Sequence, residues 1–373
     1  MKFLLIGSFA ESLITFRGPL IEALRAHGCA VHVTAPDLHA SPQLVEKLEH
    51  MGVVAHDLPL RRTGTNPFAD LGTVIALRRL MRRIRPDAVL GYTVKPVIYG
   101  AFAAKLAGVP SFYALITGLG HAFLQDSPAG LLRALVQRLY AASLRSAGKV
   151  FFQNPDDEAL FRQQAILGAA TPSLVVNGSG IDVQRYDVVS LPAGPARFLL
   201  IGRLLGEKGI REYAAAARQV RLTHPDVRFA LAGWIDENPS AIAQHELDAW
   251  VRDGTLEFLG RLDDVRPAIA QSSVYVLPSY REGTPRTVLE AMAMGRPIIT
   301  TDAPGCRETV QPGVNGLLVP VKAVDELADA MRRLADDPAR VREMGRASRQ
   351  IAQDKYDVDK VNAILLHEMG VPA

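Results

Sequence analysis

The sequence predicts an α/β protein built from two tandem doubly wound domains, each with a parallel sheet. Short apolar runs of strand length alternate with helical patterns along nearly the whole chain. This pattern starts again after a stretch rich in glycine and proline, and 373 residues are more than one hydrophobic core usually serves. We therefore expect two Rossmann-like sheets whose strand carboxyl ends face a shared cleft.

The composition excludes several classes of protein. Hydrophobic residues make up 48% and charged residues 22% of the chain, which is typical of a folded globular protein and excludes disorder. Lys and Arg total 42 against 39 Asp and Glu, and this near-balance argues against a nucleic-acid-binding protein. The two cysteines, Cys29 and Cys306, have no neighbouring Cys or His cluster, so a reducing cytoplasm fits better than a disulfide framework or a structural zinc site.

The first domain is expected to span residues 1–178. Its amino-terminal apolar run could belong to a signal peptide, but Glu11 and Arg17 interrupt it, and we interpret it as the first strand. No uncharged apolar stretch is long enough for a membrane-spanning helix, so membrane contact would be peripheral. Gly28 is a natural helix C-cap, and Asn154 is a plausible N-cap. The strand candidates are KFLLI, AVHVTA, VVAHDL, DAVLGY, SFYALI, KVFFQ and SLVVN.

A hinge is expected at residues 179–195, followed by a second domain at 196–355. The final segment, 356–373, is amphipathic and could either cap the second domain or cross back onto the first. The strand candidates of the second domain are RFLLIG, RFALAG, LEFLG, VYVLPS and PIITT.

Positive charge is concentrated in the first half. Residues 1–178 carry 18 Lys and Arg against 12 Asp and Glu, whereas the remainder carries 24 against 27. Much of this excess lies at the end of one helical pattern, in Arg78, Arg79, Arg82, Arg83 and Arg85. A solvated basic face that complements the helix dipole is one interpretation, and attraction to an anionic lipid surface is the other.

The segment 274–302 contains the most informative loop. A strand ends near Ser279, and Thr284 followed by Pro285 predicts a helix N-cap with proline at the first helical position. The backbone N–H groups of Gly283, Thr284, Arg286 and Thr287 would then form an anion site suited to a diphosphate. Glu282 precedes this helix and Glu290 lies within it, so the two carboxylates can serve different parts of one ligand. The alternative is that Glu290 is a surface helix residue and Glu282 a loop charge.

A second loop, within residues 198–210, offers two cations. Arg203 and Lys208 follow a strand on a glycine-rich loop that enters a helix, and they suit a diphosphate leaving group. The sequence has no GxGxxG after its first strand, no Walker loop, no HExxH and no GxSxG. It also has no DxD triplet after a strand, so we expect no metal cofactor.

These residues resemble those of retaining glycosyltransferases of family 4, which have the two-domain GT-B fold. The likeness covers essentially the whole chain and rests on Glu282 and Glu290 in an E-x7-E arrangement, on the GRL…KG loop, and on the segments FLGRLDD and PGCRETV. It implies that the second domain binds a nucleotide sugar and the first binds the acceptor. Arg203 and Lys208 would hold the diphosphate, Glu290 the ribose and Glu282 the donor sugar. Main chain near Arg261 and Leu262 would frame the base.

The first domain resembles a narrower group, the bacterial transferases that extend polyprenyl-diphosphate-linked saccharides with N-acetylgalactosamine or galactose. The segments that carry this likeness are GYTVKPVIYGAFAAKLAGVP and ITGLGHAF. The resemblance implies that Lys95 meets the acceptor diphosphate and that Gly118 and Gly120 line the substrate site; the alternative for Lys95 is a solvated lysine in a polar turn. His121 either takes part in catalysis or has no functional role. Gly7 is a further substrate-binding candidate, although many members of the family have paired glycines where this chain has GSFAES.

The function expected from these features is transfer of a hexosyl or N-acetylhexosaminyl unit, with retention, from a nucleotide sugar to a lipid-linked saccharide. The donor is expected to be a UDP-sugar, and the reaction to occur at the inner face of the cell membrane, on an anionic surface. A related alternative is a nucleotide-sugar epimerase of the same fold. A second alternative is a sugar-nucleotide-binding subunit or scaffold that has lost turnover.

Overall fold

The computed structural model describes residues 1–61, 66–118, 130–236, 238 and 240–372. The chain divides into two compact units. The first consists of Met1–Ser179 together with Asp359–Ala373, and the second of Gly180–Val358. Each unit contains one sheet of parallel strands with helices between them, so the predicted α/β class is correct.

The first unit contains a seven-stranded sheet with the order β3-β2-β1-β4-β5-β6-β7. The paired strands are parallel, and the order reverses between β1 and β4. In β1, β4, β5 and β6, alternate residues enter separate apolar clusters on the two faces of the sheet, as the runs of apolar residues predicted. The strands are β1 (Lys2–Ile6), β2 (Ala30–Ala35), β3 (Val54–Asp57), β4 (Ala88–Tyr92), β5 (Ser111–Ile116), β6 (Lys149–Phe152) and β7 (Ser173–Val175).

The second unit contains a six-stranded sheet with the order β10-β9-β8-β11-β12-β13. Its paired strands are parallel, and the order reverses between β8 and β11. In an open α/β sheet this reversal opens a crevice at the strand carboxyl ends, where ligands bind. The strands are β8 (Arg197–Arg203), β9 (Arg228–Trp234), β10 (Glu257–Phe258), β11 (Val274–Leu277), β12 (Ile298–Thr301) and β13 (Gly316–Val319).

The helices connect these strands in the manner of repeated βα units. Asn154 caps α7 as expected, because its side-chain oxygen accepts a hydrogen bond from Asp157 N at 2.8 Å. Gly28 has a φ of 73° and follows the C-cap residue His27. The helices are α1 (Glu11–Thr15), α2 (Gly18–Ala26), α3 (Pro42–His50), α4 (Pro67–Ile84), α5 (Val94–Ala107), α6 (Gly130–Leu144), α7 (Pro155–Gln163), α8 (Ile210–Thr223), α9 (Gln244–Arg252), α10 (Arg266–Ala270), α11 (Arg286–Ala293), α12 (Val324–Asp336), α13 (Pro338–Lys355) and α14 (Val358–Glu368).

One strand, β13, was not expected from the sequence, and the last helix, α14, follows one of the two courses that the sequence left open. The edge strand β13 has no counterpart among the predicted strands, because GLLV is short and contains a glycine. Helix α14 packs into the core of the first unit through a set of apolar side chains. That set is Val361, Leu365, Leu366, Met369 and Val371.

The segment that precedes β8 is fastened within the second unit by two arginines. Arg349 Nη1 donates to the carbonyls of Val183 and Tyr186 at 2.8 and 2.9 Å. Arg296 Nη1 donates to Val189 O at 2.7 Å, and its side chain is fully buried. Residues 180–195, which were expected to form most of a hinge, therefore belong to the second unit.

Among the helices of the described ranges, none combines the length and apolar character needed to cross a membrane.

Candidate functional site

The two loops singled out in the sequence follow β8 and β11, the strands that flank the reversal in strand order. A 3₁₀ turn over Gly206–Lys208 follows β8, and the loop after β11 leads into α11. The loops touch through main chain, because Tyr280 N donates to Glu207 O at 2.8 Å. Gly209 has a φ of 71°, and a Cβ there would collide with the carbonyl of Pro278, so this close approach requires glycine. The two predicted loops thus meet at the crevice of the second sheet.

Lys208 and Glu282 form an ion pair that joins the two loops. Lys208 Nζ donates to Glu282 Oε1, and only 19% and 13% of the two side chains is exposed. The sequence analysis assigned these residues to different parts of one ligand, and the structure places them in direct contact. A cation beside a carboxylate in a sheltered crevice can bind an anion and a hydroxyl group side by side.

Arg203, the last residue of β8, also has an acidic partner. Its Nη1 lies 2.9 Å from Oδ2 of Asp236, which follows the neighbouring strand β9. Asp236 Oδ1 accepts a hydrogen bond from Asn238 N at 3.1 Å, which orients the carboxylate. Asp236 was missed in the sequence, although its position two residues after the end of β9 was the available signal.

Glu290 is buried, which excludes the interpretation of a surface helix residue. It is 5% exposed, and its Oε1 accepts hydrogen bonds from Tyr186 Oη at 3.1 Å and from Arg286 Nε at 3.0 Å. Burial raises the pKa of the Glu290 carboxyl group, and the charge and hydrogen bond of Arg286 oppose that increase. Burial, followed by the charge of Glu290, raises the pKa of Tyr186 to about 12, so the phenol stays protonated and donates. The sequence analysis missed Tyr186, because it lies in a segment interpreted as a hinge.

Helix α11 begins one residue later than predicted. Pro285 is the N-cap, with a φ of −73° and a ψ of 107°, so the expected N-cap at Thr284 is wrong by one position. The carbonyl of Pro285 accepts the first helical bond, from Val288 N at 3.1 Å. Gly283 and Thr284 form the turn before the helix, and Thr287 Oγ1 donates to Ile201 O at 3.4 Å.

The PGC segment after β12 shapes the loop that carries Glu282. Glu282 N donates to Pro304 O at 2.9 Å. Gly305 has a φ of 80°, and a Cβ there would collide with the carbonyls of Glu282 and Gly283. Glycine at position 305 is therefore a packing requirement of the candidate site.

The candidate base-binding residues Arg261 and Leu262 follow β10, and Trp234 is the last residue of β9. The guanidinium carbon of Arg261 is 4.8 Å from the centroid of the Trp234 ring, and Trp234 is 41% exposed. Leu262 packs against an apolar cluster of the second unit. Trp234 was not predicted, although an aromatic residue directly after the predicted strand RFALAG was the available signal. An exposed indole beside Arg261 offers a planar surface on which a base could stack.

The candidates in the first unit have local partners of their own. Lys95, in the first turn of α5, places Nζ 3.1 Å from Asp70 Oδ1 in α4. A Cβ on Gly7 would collide with the hydroxyl of Tyr92, so close packing at the end of β1 already accounts for this glycine. Gly118 has a φ of 133°, which favours glycine. Gly120 and His121 lie outside the described residues.

The candidate site of the second unit contains cations, carboxylates and an aromatic surface. Within the described ranges, no three His, Cys, Asp or Glu side chains gather in positions to hold a metal ion. Arg203 and Lys208 place positive charge where an anionic ligand could bind.

Two family models match the chain, one on each half. The model described as "Glycosyl transferase 4-like domain" matches residues 15–180, and the one described as "Glycosyl transferases group 1" matches residues 195–337. These matches fall in the first and second structural units, respectively.

Individual relatives agree with the family matches. The N,N'-diacetylbacillosaminyl-diphospho-undecaprenol alpha-1,3-N-acetylgalactosaminyltransferase of Campylobacter jejuni is 27% identical over 352 residues, covering 90% of each chain. The UDP-Gal:alpha-D-GlcNAc-diphosphoundecaprenol alpha-1,3-galactosyltransferase of Escherichia coli is 25% identical, covering 72% of this chain and 71% of the relative. The structure of Anabaena HepE in complex with UDP shares the fold, with a TM-score of 0.80, 20% identity and full coverage of both chains. With both halves matched by glycosyltransferase models and two parallel-sheet units in tandem, the chain belongs to the family 4 glycosyltransferases of GT-B fold.

Proposed function

We propose that this glycosyltransferase moves a hexosyl or N-acetylhexosaminyl unit from a UDP-sugar to a saccharide carried on a polyprenyl diphosphate, with retention of anomeric configuration. The observation that carries the proposal is the meeting of the Arg203–Lys208 loop and the Glu282–Glu290 segment at the crevice of the second sheet. Cations for a diphosphate and carboxylates for hydroxyl groups are there brought within reach of one extended ligand.

The roles we propose follow from charge and burial. Arg203 and Lys208 neutralise the diphosphate as it departs, which is the electrostatic part of catalysis. Arg203 forms an ion pair with Asp236, and Lys208 forms one with Glu282, so both cations are oriented before the ligand binds. Glu282, already hydrogen-bonded to Lys208, accepts hydroxyl groups of the donor sugar beside the scissile bond.

Glu290 is the proposed acceptor for the ribose hydroxyls. Its two donors both bind Oε1, so the carboxylate is held in one orientation. The exposed Trp234 and main chain near Arg261 and Leu262 frame the base.

The acceptor is proposed to be lipid-linked because two relatives are named for acceptors on undecaprenyl diphosphate. A protein that serves such an acceptor works at a membrane surface, and we propose the inner face of the cell membrane. Lys95 is the proposed contact for the acceptor diphosphate, which would compete with Asp70 for the ammonium group.

The test is incubation with UDP-GalNAc, UDP-Gal and UDP-GlcNAc, each with and without a short-chain prenyl-diphosphate-linked amino sugar, in buffer containing EDTA. Mass spectrometry is expected to show an acceptor extended by one sugar, and NMR an α linkage. Conversion of the UDP-sugar without acceptor would instead identify an epimerase. UDP-sugar binding without any turnover would identify a binding subunit.

A further inference from the structure

Three ion pairs of the described residues lie at the crevice of the second sheet, and each joins one cation to one carboxylate. They are Arg203–Asp236, Lys208–Glu282 and Arg286–Glu290. In the proposed function, Glu282 and Glu290 accept hydroxyl groups of the donor, whereas Asp236 receives no group of the ligand. Asp236 nevertheless lies beside a cation that is proposed to hold the diphosphate.

Both oxygens of the Asp236 carboxylate are engaged by described neighbours. Oδ2 accepts a hydrogen bond from Arg203 Nη1 at 2.9 Å, and Oδ1 accepts one from Asn238 N at 3.1 Å. The Asp236 side chain is 21% exposed and that of Arg203 is 36% exposed. Because the carboxylate is oriented and only partly solvated, its charge acts on whatever anion Arg203 binds.

The loop that carries Asp236 is packed on the loop that follows Arg203. Gly206 N donates to Ser240 O at 2.8 Å, and Ser240 Oγ donates to Glu207 Oε2 at 2.6 Å. These bonds do not involve the Asp236 carboxylate. Replacing that carboxylate by an uncharged amide of the same shape should therefore remove its charge and leave both loops in place.

The nucleotide that leaves this crevice is more negative than the donor that enters it. UDP has a terminal phosphate whose second ionisation occurs at about pH 6, and esterification by the sugar removes that ionisation. UDP therefore carries roughly one negative charge more than a UDP-sugar at neutral pH. Arg203 and Lys208 attract UDP more strongly for this reason, and a crevice lined by cations alone would retain its product.

We propose that Asp236 is a positioning residue that acts through Arg203 to favour release of UDP over release of the UDP-sugar. Its negative charge opposes the binding of both ligands, and it opposes the more negative UDP more strongly. Arg203 can still bind the diphosphate, because a guanidinium has several N–H donors and Asp236 engages Nη1. This inference rests on the proposed function, since it takes the two ligands to be a UDP-sugar and UDP.

The test is isothermal titration of Asp236→Asn with UDP and with UDP-GalNAc, UDP-Gal and UDP-GlcNAc. Relative to the unchanged protein, we expect UDP to bind about tenfold more tightly and the UDP-sugar that serves as donor about threefold more tightly. The inhibition constant of UDP in steady-state kinetics should fall in the same proportion as its dissociation constant. Both differences should shrink as salt rises. Asp236→Glu, which keeps the charge, should restore the ratio of the two affinities.

The matched control is Asp329→Asn in α12 of the same unit. Asp329 also forms an ion pair with an arginine, Arg332, and its side chain is 63% exposed. Its helix follows the edge strand β13 rather than a strand that flanks the crevice. Asp329→Asn should therefore leave the affinities for UDP and UDP-sugar unchanged, and both asparagine variants should melt close to the unchanged protein.

An affinity for UDP that is unchanged or lower in Asp236→Asn would overturn the inference and leave Asp236 only the orientation of Arg203. An equal gain in affinity for UDP and UDP-sugar would also overturn it, because Asp236 would then not distinguish product from donor. Failure of the unchanged protein to bind UDP or any of the UDP-sugars is a different result, which contradicts the proposed function and overturns this inference with it.

Discussion

Tyr186 and Glu290 form a buried hydrogen bond of 3.1 Å that links the segment before β8 to the helix after β11. Arg349 fixes the backbone of Tyr186, because its Nη1 donates a hydrogen bond to the Tyr186 carbonyl oxygen at 2.9 Å. Arg286 Nε contacts the same carboxylate oxygen as Tyr186 does. Tyr186, from the segment before β8, and Arg286, from the first turn of α11, therefore fix the position of the Glu290 carboxylate before any ligand binds.

We expect Tyr186→Phe to weaken UDP binding about fivefold, corresponding to loss of one hydrogen bond of about 1 kcal/mol that orients Glu290. Isothermal titration measures the affinity. The matched control is Tyr213→Phe, which removes a buried hydroxyl that donates to Ala230 O at 3.1 Å in the same unit. If both variants lose UDP affinity equally, Tyr186 has only a structural role.

We expect Arg203→Ala and Lys208→Ala each to lower turnover about a hundredfold, on the order of 3 kcal/mol, because an unneutralised diphosphate is a poor leaving group. Steady-state kinetics with the best donor of the panel gives the measurement. Arg218→Ala removes an arginine of α8 that pairs with Asp253 away from the candidate site, and it should retain turnover. Near-normal rates in both test variants would contradict the assignment.

Substitution of Glu282 and of Glu290 should have different effects on UDP affinity and turnover. Glu282→Gln should keep or slightly improve UDP binding, since it removes a negative charge beside Lys208, while turnover falls. Glu290→Ala should weaken binding of UDP and of UDP-sugar alike, because the ribose loses its acceptor. Affinity and turnover measured for both variants test the division of roles. An equal loss of UDP affinity would show that both carboxylates bind the nucleotide.

The first unit should lose stability as pH falls from about 6.5 to about 4. His32 Nδ1 and His56 Nε2 lie 3.0 Å apart on β2 and β3, with Arg83 beside them. Burial, the charge of His32 and then that of Arg83 lower the pKa of His56 to about 4. Burial, followed by Lys2 and Arg83, also lowers the pKa of His32. Between the ordinary histidine pKa of about 6.5 and the lowered pKa of His56, the unfolded chain binds protons that the folded chain does not, so acid favours unfolding.

Urea unfolding at a series of pH values measures this dependence. His56→Gln should flatten the slope between about pH 4 and pH 6.5. His50→Gln, which changes an exposed histidine of α3, should leave the slope unchanged. An identical slope in His56→Gln would show that the stacked pair does not control acid stability.

Arg296→Ala should lower the free energy of unfolding by about 3 to 5 kcal/mol. Its guanidinium is fully buried and donates to five carbonyls, and desolvation lowers its pKa to about 10. These acceptors are the carbonyl oxygens of Val189, Ser190, Ile269, Ala270 and Met294. Thermal melting measures the loss, and Arg342→Ala, at an exposed arginine of α13, should melt normally. A normal melting temperature for Arg296→Ala would show that water replaces the guanidinium.

Much of the fold was readable in the sequence. Buried parallel strands need continuous apolar runs, and those runs marked all seven strands of the first unit and five of the six in the second. Asn154 could be identified as a cap because an N-cap side chain accepts hydrogen bonds from the backbone of the next few residues, as that of Asn154 does from Asp157 N. The spacing of Glu282 and Glu290 indicated a shared site because both residues belong to the loop and helix that follow one strand, β11.

The tertiary structure alone decided how these groups meet. Lys208 contacts Glu282 across 74 residues of sequence, and Tyr186 contacts Glu290 across 104. The burial of Glu290 and the exposure of Phe68 likewise depend on what packs against each helix face. The sequence by itself determined local backbone preference and apolar periodicity. The partner of each charge was decided by the parallel sheet, which brings the ends of neighbouring strands together however distant they are along the chain.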